Sequence, residues 1–502
     1  MSMKNEEKKR NQVQETPEPQ GLIVKMIRTI AELRDFMRHN KRPICFISAS
    51  PFNLMGIEGW VGNFTFISYI DPFDGRHPNV FVPSKIPGIE PKSFEEITNY
   101  LLQHPEVIDH ITRLGVRPVV LFLMFDEKTE ALCEERGIEI WHPPARLRHH
   151  CDDKIETVRI GNEAGVRSVP NTIGPARTYE ELLSLARRAG LGADLVVQTA
   201  YGDSGDTTFF IASEDDYNRE AEKIAAENEV KIMKRINCRS ATMEGCATAS
   251  GTLLTPLMTE VVGKPELTPK RGGWAGNEIF AGAFPEKVRA DARDMAQRLG
   301  NKLYERGYRG CFNVDFLIDE NNEVYLGELN PRISGASPLT NQAAFAYADA
   351  PLVLFHMMEF SGVGYEIDVK ELNDRWAREE SIDHWSQLII KSTEEANEIV
   401  THAPATGIYR MALDGSVSYD RFDYRRQAIE SDEEALFLRF TGPGDPLKKG
   451  HDLGALLMRG RIMNADYGLN ERAVNWIKRM KSFYVSEPVT EIQCDEAQEP
   501  NH

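Results

Sequence analysis

The stretch Cys311–Arg332, CFNVDFLIDENNEVYLGELNPR, decides how the rest of the chain is read. Two alternating runs, Cys311–Ile318 and Val324–Asn330, flank the polar turn Asp319–Glu323, the pattern of a β-hairpin. Side chains along a strand alternate between faces, so Glu328 and Asn330 share one face and Asp315 shares a face with Asn313 and Leu317. Antiparallel pairing can therefore bring Asp315, Glu328 and Asn330 together. Two carboxylates and an amide oxygen are hard donors, suited to Mg²⁺ that also takes phosphate oxygens. Arg332 follows two residues on, where a guanidinium would stabilise a phosphate in transfer or an acyl phosphate.

Upstream, Pro43–Ser50 (PICFISAS) and Pro118–Phe125 (PVVLFLMF) are short continuous apolar runs, as in strands buried on both faces. Phe64–Ile70 resembles a third, and a helix over Glu127–Arg136 is followed by a strand over Ile138–Trp141. This predicts a βαβ-type domain over 21–150. A small lobe over 151–232 and a larger lobe over 233–365 follow. The larger lobe carries a helix over Pro285–Arg306 whose Val288, Ala292, Met295, Leu299 and Leu303 form one apolar stripe. A mixed C-terminal domain is expected over 366–485. Residues 1–20 and 486–502 read as disordered tails.

The composition bounds the function. The 502 residues carry 59 basic and 77 acidic side chains, a net charge of −18, which disfavours binding to nucleic acid. No uninterrupted apolar run of about 18 residues argues for a membrane span, and Met1–Gln20 has no apolar core of a secretory signal. Seven scattered cysteines without CxxC pairs fit reduced thiols in a cytoplasm. His149 and His150 beside Cys151 read as a charged junction rather than a metal site. Ser48–Gly59 lacks the G-x-G-x-x-G of a dinucleotide-binding strand–helix turn.

The pattern DFLI…GELNPR resembles the magnesium-binding segment of the ATP-grasp superfamily. Gly137–Pro170 (GIEIWHPPARLRHHCDDKIETVRIGNEAGVRSVP) is similar to the junction between the first domain and the ATP-grasp unit in its biotin-carboxylase branch. The resemblance implies an α/β (α+β ATP-grasp) fold: an N-terminal domain, a two-lobed ATP-grasp unit with a Gly-rich lid, and a small mixed C-terminal domain. It implies ATP and Mg²⁺, as one or two ions with Mn²⁺ able to substitute, bound by Asp315, Glu328 and Asn330. Lys154 and Arg332 would be the catalytic cations, with Lys154 on ATP phosphate. Tyr201–Phe210 (YGDSGDTTFF) occupies the lid position, where Gly202, Ser204, Gly205 and Thr207 would approach phosphate. Gln198 stands where a second phosphate-binding lysine is usual. Lys234 and Ile236 fall where backbone groups bind adenine.

Ala336 stands four residues after Arg332, where a biotin carboxylase would place a catalytic glutamate, and Thr268–Phe280 offers no clear bicarbonate-binding lysine. The resemblance therefore implies a carboxylate–amine ligase: an acyl phosphate is formed, an amine attacks it, and ADP and phosphate leave. Small-molecule partners, amino acids among them, are expected, and a homodimer is compatible. Asn277, Ser334 and Gly335 are candidate substrate contacts. The alternatives are a different acceptor, biotin-carboxylase-like carboxylation, and a non-catalytic ATP-binding regulator.

Overall fold

The computed structural model describes residues 26–202 and 207–489. The tail expected over 1–20, together with Ser204 and Gly205 of the expected lid, lies outside the described residues. Strands β1 (Ile44–Ser48), β2 (Phe64–Ser68), β3 (Val80–Phe81), β4 (Val119–Phe122) and β5 (Glu139–Ile140) form an all-parallel sheet in the order β3-β2-β1-β4-β5. β1 and β4 are buried along their whole length. Helix α1 (Ile30–Arg38) packs Leu33 and Met37 on one side, against Ile44, Phe46 and Leu121. Helices α2 (Phe94–Gln103), α3 (Pro105–Arg113) and α4 (Glu127–Glu135) cover the side of Cys45, Ile47 and Val120. A sheet covered on both faces selects continuous apolar strands, which is why these runs do not alternate.

Helix α5 (Ala145–Asp152) hands over to α6 (Lys154–Glu163) at Asp153. The Asp153 carboxylate accepts from the amides of Ile155 at 2.7 Å and Glu156 at 3.2 Å, an N-cap that fixes Lys154 as the first helical residue. The small lobe is a four-stranded antiparallel sheet of β6 (Asn171–Gly174), β7 (Leu195–Gln198), β8 (Thr208–Ile211) and β9 (Val230–Lys234), in the order β6-β9-β7-β8. Helices α7 (Tyr179–Arg188) and α8 (Glu214–Ala225) pack on the face carrying Leu195, Val197, Phe209, Ile211, Val230 and Ile232. The alternate residues, among them Gln198, Thr208 and Lys231, belong to the opposite face.

The floor is built from β10 (Cys238–Thr248), β11 (Gly251–Leu254), β12 (Met258–Val262), β13 (Trp274–Ile279), β14 (Gly310–Asp319) and β15 (Val324–Asn330). Helix α9 (Glu286–Glu305) lays the expected stripe into one core with Phe312, Phe316 and Leu326. Past the connecting helices α10 (Ser337–Thr340), α11 (Ala344–Ala348), α12 (Leu352–Phe360) and α13 (Val369–Trp376), β16 (Trp385–Lys391) pairs with β13. The region expected as a separate C-terminal domain therefore continues the floor. Strands β17 (Asn397–His402), β18 (Gly407–Met411), β19 (Val417–Arg421), β20 (Glu434–Arg439), β21 (Pro446–Lys448) and β22 (Asp452–Arg459) follow. The full antiparallel sheet has eleven strands, in the order β15-β14-β10-β12-β13-β16-β22-β20-β18-β19 with β11 attached to β10. Helix α14 (Glu471–Ser482) precedes β23 (Val485–Pro488), which pairs with β17. Ser486–Pro488, expected at the start of a disordered tail, is thus strand, held by backbone pairing that composition does not reveal.

Leu299 is fully buried on α9. Leu299→Ala is expected to cost about 2–5 kcal/mol, read as a lower urea midpoint at unchanged m-value. A midpoint that does not move would show that the stripe is not core.

Candidate functional site

A cavity of about 900 Å³ lies between the small lobe and the floor. Its wall includes Asn53 from the first domain, Gln198 from the small lobe, Asp315 and Glu328 from the hairpin, and Asp452 from the C-terminal strands. Enclosure by four regions of the chain suits a site that must hold more than one small molecule.

The hairpin is irregular where it matters. From the turn upward Ile318 faces Val324, Leu317 faces Tyr325 and Phe316 faces Leu326; the register then shifts, so that Asp315 faces Glu328 and Asn313 faces Asn330. Gly327 is the extra residue of a β-bulge. In unbroken register Asp315 would face Gly327, and Glu328 would turn to the opposite side of the sheet. The bulge returns Glu328 and Asn330 to the face of Asp315. A β-carbon on Gly327 would come within 3.0 Å of the Asp315 carbonyl oxygen.

Asp315 is held by three donors. Its Oδ1 accepts from Thr242 Oγ1 and Asn313 Nδ2, each at 2.8 Å, and its Oδ2 from Asn330 Nδ2 at 2.9 Å. The Asn330 amide nitrogen donates to Asp315, so its oxygen is the atom that could serve a cation. Burial and then the Glu328 charge push the Asp315 carboxyl up to about 6. Glu260, on β12 at the cavity wall, is raised well above the carboxylate range by burial and then by Asp315 and Glu328. Crowded carboxylates in an enclosed place oppose one another's ionisation, and a divalent cation between them would remove that opposition. Among the described residues no group of three or more His, Cys, Asp or Glu could hold a metal. The donor set is two carboxylates with an amide oxygen, and its hard-oxygen chemistry fits Mg²⁺.

Two cations frame this set. Lys154 Nζ lies 2.9 Å from Glu328 Oε1 and donates to the Gly202 carbonyl at 2.7 Å. Arg332, at the cavity wall, pairs with Asp152, which also holds Arg148 at 3.0 Å. The hairpin, Lys154 and Arg332 are therefore brought together. Gln198 reaches the wall, where its Nε2 donates to Thr208 Oγ1 at 3.1 Å and its buried Oε1 has no partner. Gly202 has φ +148°, and a β-carbon there would collide with Thr207, whose own hydroxyl oxygen is buried without a partner.

Other expected contacts are engaged elsewhere. The Lys234 amide donates to the Pro170 carbonyl at 3.0 Å, so it is not open to an adenine ring; Lys234 and Ile236 do line the cavity. The Ser334 hydroxyl donates to Glu244 at 2.7 Å, and the Ser337 and Thr340 hydroxyls donate to the same buried carboxylate. Ser334 lines the cavity, and its hydroxyl ties the loop after the hairpin to β10. Asn277 does line the cavity: it is fully buried, its oxygen accepts from Gln387 at 3.2 Å, and its Nδ2 has no partner. Gly335 lies against Trp274, where a β-carbon would meet the indole at 2.5 Å. Sequence reasoning missed Thr242, Glu260, Asp152 and Lys231. Glu260 and Lys231 carried a signal, each a charge inside an apolar strand, Met258–Val262 and Val230–Lys234.

No protein-family model matches the chain. In sequence it is similar to biotin carboxylase of Haemophilus influenzae, 27% identical over 235 residues that make up 45% of this chain and 50% of that one. It is similar to pyruvate carboxylase 1 of Caenorhabditis elegans, 24% identical over 241 residues, 45% of this chain and 19% of that one. The chain thus spans half or less of these relatives. Its fold is similar to the biotin carboxylase domain dimer of Hydrogenobacter thermophilus 2-oxoglutarate carboxylase, solved with MgADP, ADP and bicarbonate. The TM-score is 0.58 at 14% identity, over 89% of this chain and 91% of that one. An N5-carboxyaminoimidazole ribonucleotide synthetase in complex with ADP superposes with a TM-score of 0.52 at 13% identity, over 88% and 96%.

Deleting Gly327 is expected to turn Glu328 out of the site and to weaken Mn²⁺ binding at least tenfold in an electron paramagnetic resonance titration, with the far-ultraviolet dichroism retained. Unchanged Mn²⁺ affinity would refute the role given to the bulge.

Proposed function

The chain belongs to the ATP-grasp superfamily, in its biotin-carboxylase-like branch, and we propose that it is an ATP- and Mg²⁺-dependent, ADP-forming carboxylate–amine ligase. The observation that carries this reading is that Asp315, Glu328, Asn330 and Arg332 line one cavity, with Lys154 paired to Glu328 beside it. Mg²⁺ on Asp315, Glu328 and the Asn330 oxygen would neutralise charge on the ATP phosphates. Lys154 approaches the same phosphates from the start of α6, exchanging part of its contact with Glu328 for them. The γ-phosphoryl group moves to a substrate carboxylate oxygen as its bond to the β-phosphate oxygen breaks. Arg332 faces the acyl phosphate so formed. An amine then adds to the acyl carbon, loses a proton, and expels phosphate to leave an amide. Catalysis of this kind rests on positioning and charge neutralisation rather than on a protein nucleophile. Asn277, with an unpartnered amide donor at the wall, is the residue we assign to substrate.

A second reading has specific support: the solved fold neighbour that binds bicarbonate suggests bicarbonate as the activated carboxylate. Ala336, in place of the expected glutamate, and the absence of a suitable lysine in Thr268–Phe280 weigh against it.

The test is phosphate release with MgATP across the amino acids, singly and in pairs, with mass spectrometry of positives and a parallel series with bicarbonate. Release that needs two substrates, with the mass of their amide, is the expected result. Release driven by bicarbonate and one amine would favour carboxylation. Asp315→Ala and Glu328→Ala should each lower turnover at least tenfold, or about 1.4 kcal/mol or more. Near-normal turnover in both would overturn the metal assignment.

A further inference from the structure

Lys231 is fully buried on β9, yet its ammonium has a single hydrogen-bond partner among the described residues, the Gly327 carbonyl at 3.1 Å. No carboxylate of the described residues forms an ion pair with it. Glu328, next along the chain from Gly327, is already paired with Lys154. An ammonium carries three donors, and burying one with most of them unused is costly unless an anion completes its shell. Burial accordingly lowers its pKa to about 8, with Glu328 drawing it up and Lys154 pushing it down.

The sheet register gives this cation its direction. Lys231 stands opposite Gln198 in the antiparallel pair β7–β9, and Gln198 stands opposite Thr208 in β7–β8. Residues directly opposite across a ladder share a face, and that face, turned away from the helices of the lobe, carries Gln198 to the cavity wall. One row therefore runs Thr208, Gln198, Lys231: the first two line the cavity, and Lys231 lies buried behind them against the hairpin. Its far end reaches the bulged residue beside Glu328. A polyphosphate held at Asp315 and Glu328 would lie between this row and the hairpin.

We propose that Lys231 binds a phosphate oxygen of the nucleotide, supplying from β9 the positive charge that Gln198 does not supply from β7. The inference rests on the nucleotide-binding reading above and deepens it. Gln198 then serves as a neutral donor or spacer. The charge is displaced by one strand along the row, so the electrostatic field at the phosphates is kept although the usual position is uncharged.

The test is calorimetric titration with the Mg²⁺ complex of a non-hydrolysable ATP analogue, and with adenosine as an uncharged control. It uses wild type, Lys231→Met, and Lys231→Met combined with Gln198→Lys. Lys231→Met should not lower the melting temperature of the nucleotide-free protein, because it removes an under-paired buried charge. It should weaken the ATP analogue at least tenfold and leave adenosine within threefold. Adding Gln198→Lys should restore the analogue to within threefold of wild type. Wild type that binds no nucleotide would overturn the parent reading. Wild type that binds while Lys231→Met binds equally well would overturn this inference alone. A parallel loss of adenosine affinity, or no recovery with Gln198→Lys, would also overturn it by assigning Lys231 a structural role at the bulge.

Discussion

One extra residue in one strand governs the chemistry of this molecule. A hairpin of even register would have put Asp315 and Glu328 on opposite sides of the sheet, one facing the cleft and one facing the core under α9. The bulge at Gly327 costs a local break in the ladder and secures two carboxylates on one face. Everything else at the site is arranged around that pair. Thr242 and Asn313 hold one oxygen of Asp315, Asn330 holds the other, and Lys154 balances Glu328. The carbonyl of the bulged residue is itself tied to the small lobe through Lys231.

The electrostatics around the hairpin are those of crowded, buried charge. Asp315 and Glu260 are both raised by burial and by neighbouring carboxylates, while Lys231 is lowered by burial. Burial pushes the acids and the lysine toward their neutral forms, and an ion of opposite sign beside each would reverse that shift. A metal–polyanion complex, as proposed above, would answer both demands at once.

Much of this was legible from the chain, and the exceptions share a cause. The hairpin, the α9 stripe and the doubly covered strands of the first domain follow from local periodicity, whereas Lys154 was singled out only by the resemblance of Gly137–Pro170 to an ATP-grasp junction. The coincidence of Asp315 with Glu328 was foreseen, but its means was not: a glycine in a strand admits a bulge without announcing one. The engagement of the Ser334 hydroxyl by Glu244 was not legible, because that partner lies 90 positions away. Glu260 and Lys231 went unseen because their neighbours are set by strand register across separate parts of the chain. The C-terminal strands read as a domain because nothing local tells a strand that it will find its partner in β13.

That last pairing has a consequence for how the protein can be divided. β13 and β16 exchange a ladder running from Gly276 opposite Leu388 to Ile279 opposite Trp385. A fragment ending near residue 365 would contain every residue assigned to metal and nucleotide, yet it would leave β13 as the open edge of its floor. Unpaired amides and carbonyls along such an edge are a template for another chain. The part up to residue 365 and the C-terminal part thus share one continuous sheet, and their boundary is a seam of hydrogen bonds.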